Sequence, residues 1–231
     1  ELARHLKTLG KKIVYDNDDT YKDHTVVKLN DYFDKERTQR GLEAVNRQAD
    51  SFAIEADLIT TTTEWLADEY RKLNPNVVVL PNCVDPFYFD EPLRNETDIV
   101  RIGVTGSITS STDLDIAAPI IRHYENDPRV RIVFFGLQAN RKENPKVTAM
   151  YRDEYAFLDS VNVEWHGSVN ADVYYDKLNS FKLDMMIIPR ADNYFNRAKS
   201  NLKFLEASMF EIPCIAQGFS DGKSPYQVNP E

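Results

Sequence analysis

Lys199, Lys203 and Glu206 stand at positions i, i+4 and i+7, which on a continuous helix puts two ammonium groups and a carboxylate on one stripe. Two cations a turn apart suit a diphosphate, and a carboxylate one turn further on can accept the two hydroxyls of a ribose. Ser200, Asn201 and Leu202 lie beside Lys199 in the run Phe195-Asn196-Arg197-Ala198-Lys199-Ser200-Asn201-Leu202, where the backbone N–H groups of a helix start favour an anion. Ala198, Leu202, Leu205 and Met209 form a second stripe, expected to pack on a sheet. The run follows the apolar Met185–Pro189 and precedes Ile212-Pro213-Cys214-Ile215-Ala216. Strand, loop, helix, strand is the order this implies, with the basic segment at the carboxyl end of a buried parallel strand, where open α/β sheets take ligands. The same spacing also suits a solvated helix face, and a lysine preceding a glutamate is the weaker orientation for a helical pair.

Other residues offer chemistry at neighbouring strand ends. Gly106 and Ser107, followed by Thr109, Ser110 and Ser111, make a small-residue loop whose amides and hydroxyls suit a phosphate; a capped tight turn, with Thr112 or Asp113 as N-cap, explains it equally. Arg190 ends the next strand and suits a bidentate phosphate contact or a surface ion pair. Phe134-Phe135-Gly136 and Trp165-His166-Gly167-Ser168 place glycines at the same edge and suggest a wall for a nucleobase, with His166 structural. Asp16-x-Asp18-x-Thr20 after the strand Ile13-Val14-Tyr15 matches the loop of haloacid-dehalogenase-type phosphatases, in which one aspartate attacks phosphorus beside Mg²⁺. The downstream Gly-Asp metal motif of that class has no convincing counterpart, since Asp221-Gly222 is a poor substitute. No His-x-x-His or Cys-x-x-Cys spacing occurs, so no metal site is expected.

The elements that position these groups follow from patterning. The chain has 231 residues, 42% hydrophobic and 11% aromatic, an ordinary globular composition able to bury one large core or two smaller ones. A net charge of −9 argues against generic nucleic-acid or anionic-membrane binding while permitting a local basic pocket. No apolar stretch approaches a membrane span, no signal peptide is visible, and Cys83 and Cys214 read as lone buried thiols of a reducing, cytoplasmic compartment. The start at Glu1 without methionine and the end at Asn229-Pro230-Glu231 suggest a segment of a longer polypeptide. Helices are expected over 2–9, 37–56, 64–73, 113–124, 151–158 and 171–181, with strands at 12–15, 58–61, 77–80, 100–104, 130–135, 161–165 and 183–188. This alternation predicts parallel sheets. Residues 1–86 then form part of one Rossmann-like unit, 87–98 a linker rich in acids and proline, and 99–231 a doubly wound domain.

With these residues in order, the chain resembles retaining glycosyltransferases of the GT-B fold, the group 1 (family 4-like) class. Ala56-Asp57-Leu58-Ile59-Thr60-Thr61 through Glu64-Trp65-Leu66, then Val79-Leu80-Pro81-Asn82-Cys83-Val84-Asp85, is similar to the passage between the two halves of that class. Arg101–Ser107 resembles the first strand and loop of its donor domain. Phe195–Ser200 with Lys203, Glu206 and Pro213 resembles the FNRAKS form of its donor helix, and Tyr15–Asp19 a Y-D-x-D-D loop in the same subset. The resemblance implies transfer of a sugar from a nucleoside-diphosphate donor, UDP- or GDP-linked, with retention and without a required metal or cofactor. The acceptor (glycan, lipid or protein) stays open. It also implies Lys199 and Asp18 in catalytic roles, and a donor site of Gly106, Ser107, Arg190, Lys199–Lys203 and Glu206. Glu206 corresponds to the second glutamate of an E-x7-E motif, and Ala198 stands where the first would fall. That substitution leaves a non-catalytic binding or assembly module as an alternative, beside the phosphatase.

Overall fold

The computed structural model describes residues 2–20, 35–106, 111–136 and 162–227. Two parallel sheets carry the chain. The smaller has the order β1-β2-β3, with β1 Val14–Asn17, β2 Leu58–Thr61 and β3 Val77–Val79. Helix α1 (Leu2–Thr8) precedes it, and α2 (Lys35–Glu55) and α3 (Glu64–Arg71) make the crossovers. Helix α3 forms because Thr63 caps it, accepting from the Leu66 amide, and because Leu66, Ala67 and Tyr70 share one buried face. Buried Asn74 donates to the Ala53 and Ala56 carbonyls at the end of α2, satisfying groups a helix end leaves open.

The larger sheet has the order β6-β5-β4-β7-β8, all parallel, with β4 Val100–Thr105, β5 Val130–Phe135, β6 Val163–His166, β7 Met185–Ile188 and β8 Cys214–Ala216. Its strands are near-continuous apolar runs because both faces are covered. The two-residue period sends Ile102, Val104, Ile132, Phe134 and Ile187 to one face, against Leu114, Ala117 and Ile121 of α4 (Ser111–Tyr124). It sends Val133, Phe135, Met186 and Ile188 to the other, against Leu178 of α5 (Tyr174–Ser180) and Ala207 and Phe210 at α7 (Leu202–Met209). Each of these large side chains contributes about 1.5–3 kcal/mol by leaving water. Gly103 sits on the second face where a Cβ would run into the Leu183 side chain. The connection order, with the first and fourth strands of this sheet adjacent at its centre, makes the carboxyl ends of β4 and β7 a topological switch point.

Several expectations shift. The first strand lies at 14–17 instead of 12–15, so Asp16 and Asn17 pair with Thr60 and Thr61 of β2. The expected helix over 151–158 lies outside the described residues. The stretch 87–98 is tied to the large sheet: Asn179 bonds the Leu93 amide and Glu91 carbonyl, and Phe89 packs on Tyr175 and Phe210. The two sheets meet through α6 (Tyr194–Ala198), whose Tyr194 lies edge-on to Trp65 and donates to Glu69 at 2.7 Å.

Candidate functional site

The basic segment is not one helix. α6 ends at Ala198, Lys199 is extended (φ −67, ψ 150), and α7 starts at Leu202. Lys199 therefore does not share a helical stripe with Lys203 and Glu206, and Ala198 does not share one with Leu202. Contacts from distant elements hold the break open. Thr63 donates its hydroxyl to the Ala198 carbonyl, Asn82 donates to the Ser200 hydroxyl at 2.8 Å, and buried Asn196 donates to Asp113 and to the Ala191 carbonyl. The buried face of α7 and its C-cap is Glu206, Ala207 and Phe210, while Leu202, Leu205 and Met209 are half-buried.

The break nevertheless delivers Lys199, Ser200, Leu202, Lys203 and Glu206 to one cavity of about 350 Å³, at the carboxyl ends of β4, β5 and β7. Thr105, Gly106, Phe135, Gly136, Tyr174 and Arg190 line it from the large sheet, and Asp18 and Asn82 from the small one. Asn201 does not line it. It opens instead on a second cavity. Ser107 lies outside the described residues.

Lys203 enters from α7 and donates to the Thr105 carbonyl. Burial, reinforced by the Arg190 charge, brings its ammonium down to about 7. Glu206 faces it from the next turn and accepts from the Tyr174 hydroxyl at 3.3 Å. Burial raises the Glu206 carboxyl to about 7, against the opposing effects of the Tyr174 bond and the Lys203 charge. The Tyr174 hydroxyl is pushed well above its usual range by burial and by Glu206. Thr105 Oγ1, buried at the same edge, has no hydrogen-bond partner among the described residues.

Arg190 is not a surface ion pair: it lines the cavity from a buried position, and its Nε has no hydrogen-bond partner among the described residues. It is 7% exposed and donates to Asp113 at 3.0 Å. Burial opposes its charge, but Tyr226 and Asp113 more than offset that and keep the guanidinium protonated. Asp113, foreseen only as an N-cap, is a buried hub that also accepts from the Ala191 amide and the Asn196 side chain. Nothing local in the sequence distinguishes it from an ordinary first-turn aspartate.

Gly106 contributes room and not a donor, because its amide is already bonded to the Phe135 carbonyl. Gly136 adopts φ +89, where a side chain would be strained and its Cβ would strike the Gly106 carbonyl. Of the expected nucleobase wall, only Phe135 and Gly136 line the cavity. Trp165 stacks on Phe134 in the core, and His166 packs on Phe181.

Lys199 meets Asp19 at 2.8 Å and lies 4.2 Å from the centre of the Phe195 ring. Asp16 accepts from the Thr60 hydroxyl, and the amide of buried Thr20 donates to Asp19. Of the carboxylates in the Asp16-x-Asp18-x-Thr20 loop, Asp18 lines the cavity. Among the described residues no three His, Cys, Asp or Glu side chains converge in a way that would hold a metal. Lys199, Lys203 and Arg190 thus border one void that Glu206 and Thr105 also line. The set suits an anion at one end and a polyol at the other.

No known protein family is matched by the sequence, and no curated protein is similar to it by sequence. Among solved structures, Alr3699/HepE of Anabaena, determined with UDP and glucose, matches at TM-score 0.59 and 13% identity, over 93% of this chain and 55% of that one. The chain therefore spans about half the length of that protein. S. aureus TarM, with UDP, α-GlcNAc-glycerol and fondaparinux, matches at 0.49 and 14% identity over 74% of this chain and 32% of that one. The pneumococcal O-GlcNAc transferase GtfA, with UDP and GlcNAc, matches at 0.48 and 10% over 93% and 44%. The fold is α/β and GT-B-like, a doubly wound parallel sheet facing a second Rossmann-like sheet across a cleft. Among the described residues no helix is long and apolar enough to cross a membrane.

Proposed function

We propose that the chain forms the nucleotide-sugar site of a retaining, group 1-like glycosyltransferase, which moves a hexosyl group from a UDP- or GDP-linked donor to a glycan, lipid or protein. The observation that carries this is the convergence of Lys199, Lys203, Arg190 and Glu206 on one cavity at the switch point of the large sheet. The UDP found in HepE supports the choice of ligand class. Residues 99–231 hold the donor, 87–98 connect, and 1–86 face the acceptor. Cys83 is exposed and Cys214 half-buried, in place of the expected buried thiols, and as unpaired cysteines they fit a cytoplasmic setting.

The diphosphate lies against Lys199 and Lys203, with Arg190 behind, and Glu206 takes the ribose hydroxyls. As the bond from the anomeric carbon to the diphosphate lengthens, negative charge grows on the departing oxygen and meets cations already in place. Ala198, a methyl side chain that is fully buried and whose carbonyl serves Thr63, offers the donor sugar no polar contact. Asp18, across the cavity, fills that role.

Calorimetric titration with UDP, GDP, ADP and CMP and their sugars tests the proposal. One base should bind, and Lys199→Ala should weaken that ligand. Unchanged affinity in the variant for every nucleotide that binds the native chain would sink the assignment. Binding without hydrolysis or transfer of any nucleotide sugar would reduce the chain to a non-catalytic module.

A further inference from the structure

A second cavity, of about 270 Å³, adjoins the first on the side of the small sheet. Asn82, Lys199 and Ser200 line both, so the two voids share a wall at the break between α6 and α7. The chemistry of the second differs from that of the first. Its ionisable side chains are all cations: Arg197, Lys199 and Lys223. Asp192 holds Arg197 through Nε and Nη2 and Asp221 holds it through Nη1, each within 2.8 Å. Those bonds fix the plane of the guanidinium. Lys223, from the loop that also supplies Pro225, makes no ion pair among the described residues. Trp65 and Thr62 also line it, and Thr62 Oγ1 is shielded from solvent without a hydrogen-bond partner among the described residues.

An aromatic ring with amide and hydroxyl groups is the usual surface for a saccharide, and the Lys223 ammonium together with the N–H groups of Arg197 that Asp192 and Asp221 leave open suits a phosphate. We propose that the second cavity binds the acceptor, and that this acceptor is a phosphate-bearing saccharide, free or as a lipid headgroup. The role as acceptor site rests on the glycosyltransferase assignment, whereas the occupant rests on the cavity alone. In the transfer, the saccharide hydroxyl at the shared wall forms the new bond to the anomeric carbon. The bond from that carbon to the diphosphate oxygen breaks, and the hydroxyl proton leaves with the diphosphate.

The test uses the full chain saturated with UDP and titrated with glucose 6-phosphate, glucose and inorganic phosphate, followed by calorimetry and tryptophan fluorescence. Glucose 6-phosphate is expected to bind about tenfold more tightly than glucose or phosphate. Lys223→Gln, at an exposed residue, should weaken it about fivefold, and Thr62→Val should weaken it as well, with UDP affinity unchanged in both. Sedimentation with phosphatidylcholine vesicles doped with phosphatidylinositol, weakened by Lys223→Gln, would assign the lipid-borne form. Competition of glucose 6-phosphate with UDP, equal affinity for glucose or phosphate, or indifference to both substitutions would overturn the proposal. So would the absence of binding to any of these probes or vesicles. Failure of UDP, GDP and every other nucleotide to bind would strike the donor assignment and with it the acceptor role, but not the occupant, because the sugar-phosphate titration can be run without nucleotide.

Discussion

At the carboxyl end of β1 and β2 the loop carboxylates Asp16 and Asp19 are matched by a hydroxyl and an ammonium, although Thr61 Oγ1 and Thr62 Oγ1 have no hydrogen-bond partner among the described residues. Thr60 donates to Asp16, Asn17 bonds Tyr70, and Lys199 reaches across to Asp19. At the carboxyl end of β4 and β7 the charged groups are less well matched. Lys203 donates only to a neutral carbonyl, Glu206 accepts only from a phenol, and Thr105 Oγ1 has no partner among the described residues. Burial has moved Lys203 and Glu206 to about 7 from opposite sides. A matched end stabilises the fold by itself. An end that buries charge without full compensation gives up stability that a ligand can restore. On the proposed reading, the under-compensated edge of the large sheet is the one that takes the diphosphate.

The largest expected effect tests that contrast directly. Lys203→Met should slow sugar transfer by a factor of about 10²–10³ while leaving the melting temperature the same or higher, because a buried charge is removed. Loss of folding together with activity would mean that Lys203 is structural.

Glu206→Gln comes next. A carboxyl raised in the folded state binds its proton more tightly there, so wild-type stability should fall as pH rises from about 4.5 to about 7. The amide cannot ionise, and at pH 8 the variant should be more stable by about 2 kcal/mol in urea denaturation, with nucleotide affinity lowered about tenfold. A variant no more stable than wild type at pH 8 would show that the carboxylate is already compensated.

Binding should also be linked to protons. With Lys203 near 7, most chains carry it neutral at pH 8, and an arriving diphosphate favours the ammonium. Calorimetry in buffers of different ionisation enthalpy should show uptake of about one proton per UDP at pH 8, fading below pH 6 and absent in Lys203→Met. The smallest effect belongs to the matched end. Asp19→Asn removes a partly exposed ion pair and should cost under about 1 kcal/mol of stability. A loss above that would mean the Lys199–Asp19 contact holds the two sheets together.

Much of this architecture was legible from local patterning. The strands 58–61 and 130–135 fall where apolar runs placed them, and the end of 185–188 likewise, because strands of a doubly covered parallel sheet need no polar face. The alternation with helices then implied the sheet type and the edge at which Lys199, Lys203, Arg190 and Glu206 meet. The single helix expected through 195–206 was not there, and the reason lies far away in the chain. Thr63 is 135 residues from Ala198 and Asn82 is 118 from Ser200, contacts that no local window can register. The same distance hid Asp113, whose three partners come from the segment after β7.

What the sequence determined by itself was the order of elements and the inventory of charged groups at one sheet edge, since hydrophobic period and residue type act over a few positions. Tertiary structure alone decided how those charges divide. Asp19 pairs with Lys199, burial leaves Lys203 and Glu206 under-compensated, and the break after Ala198 splits one basic segment between two cavities. Burial and ion pairing depend on which distant segments arrive, and so they appear only once the chain has folded.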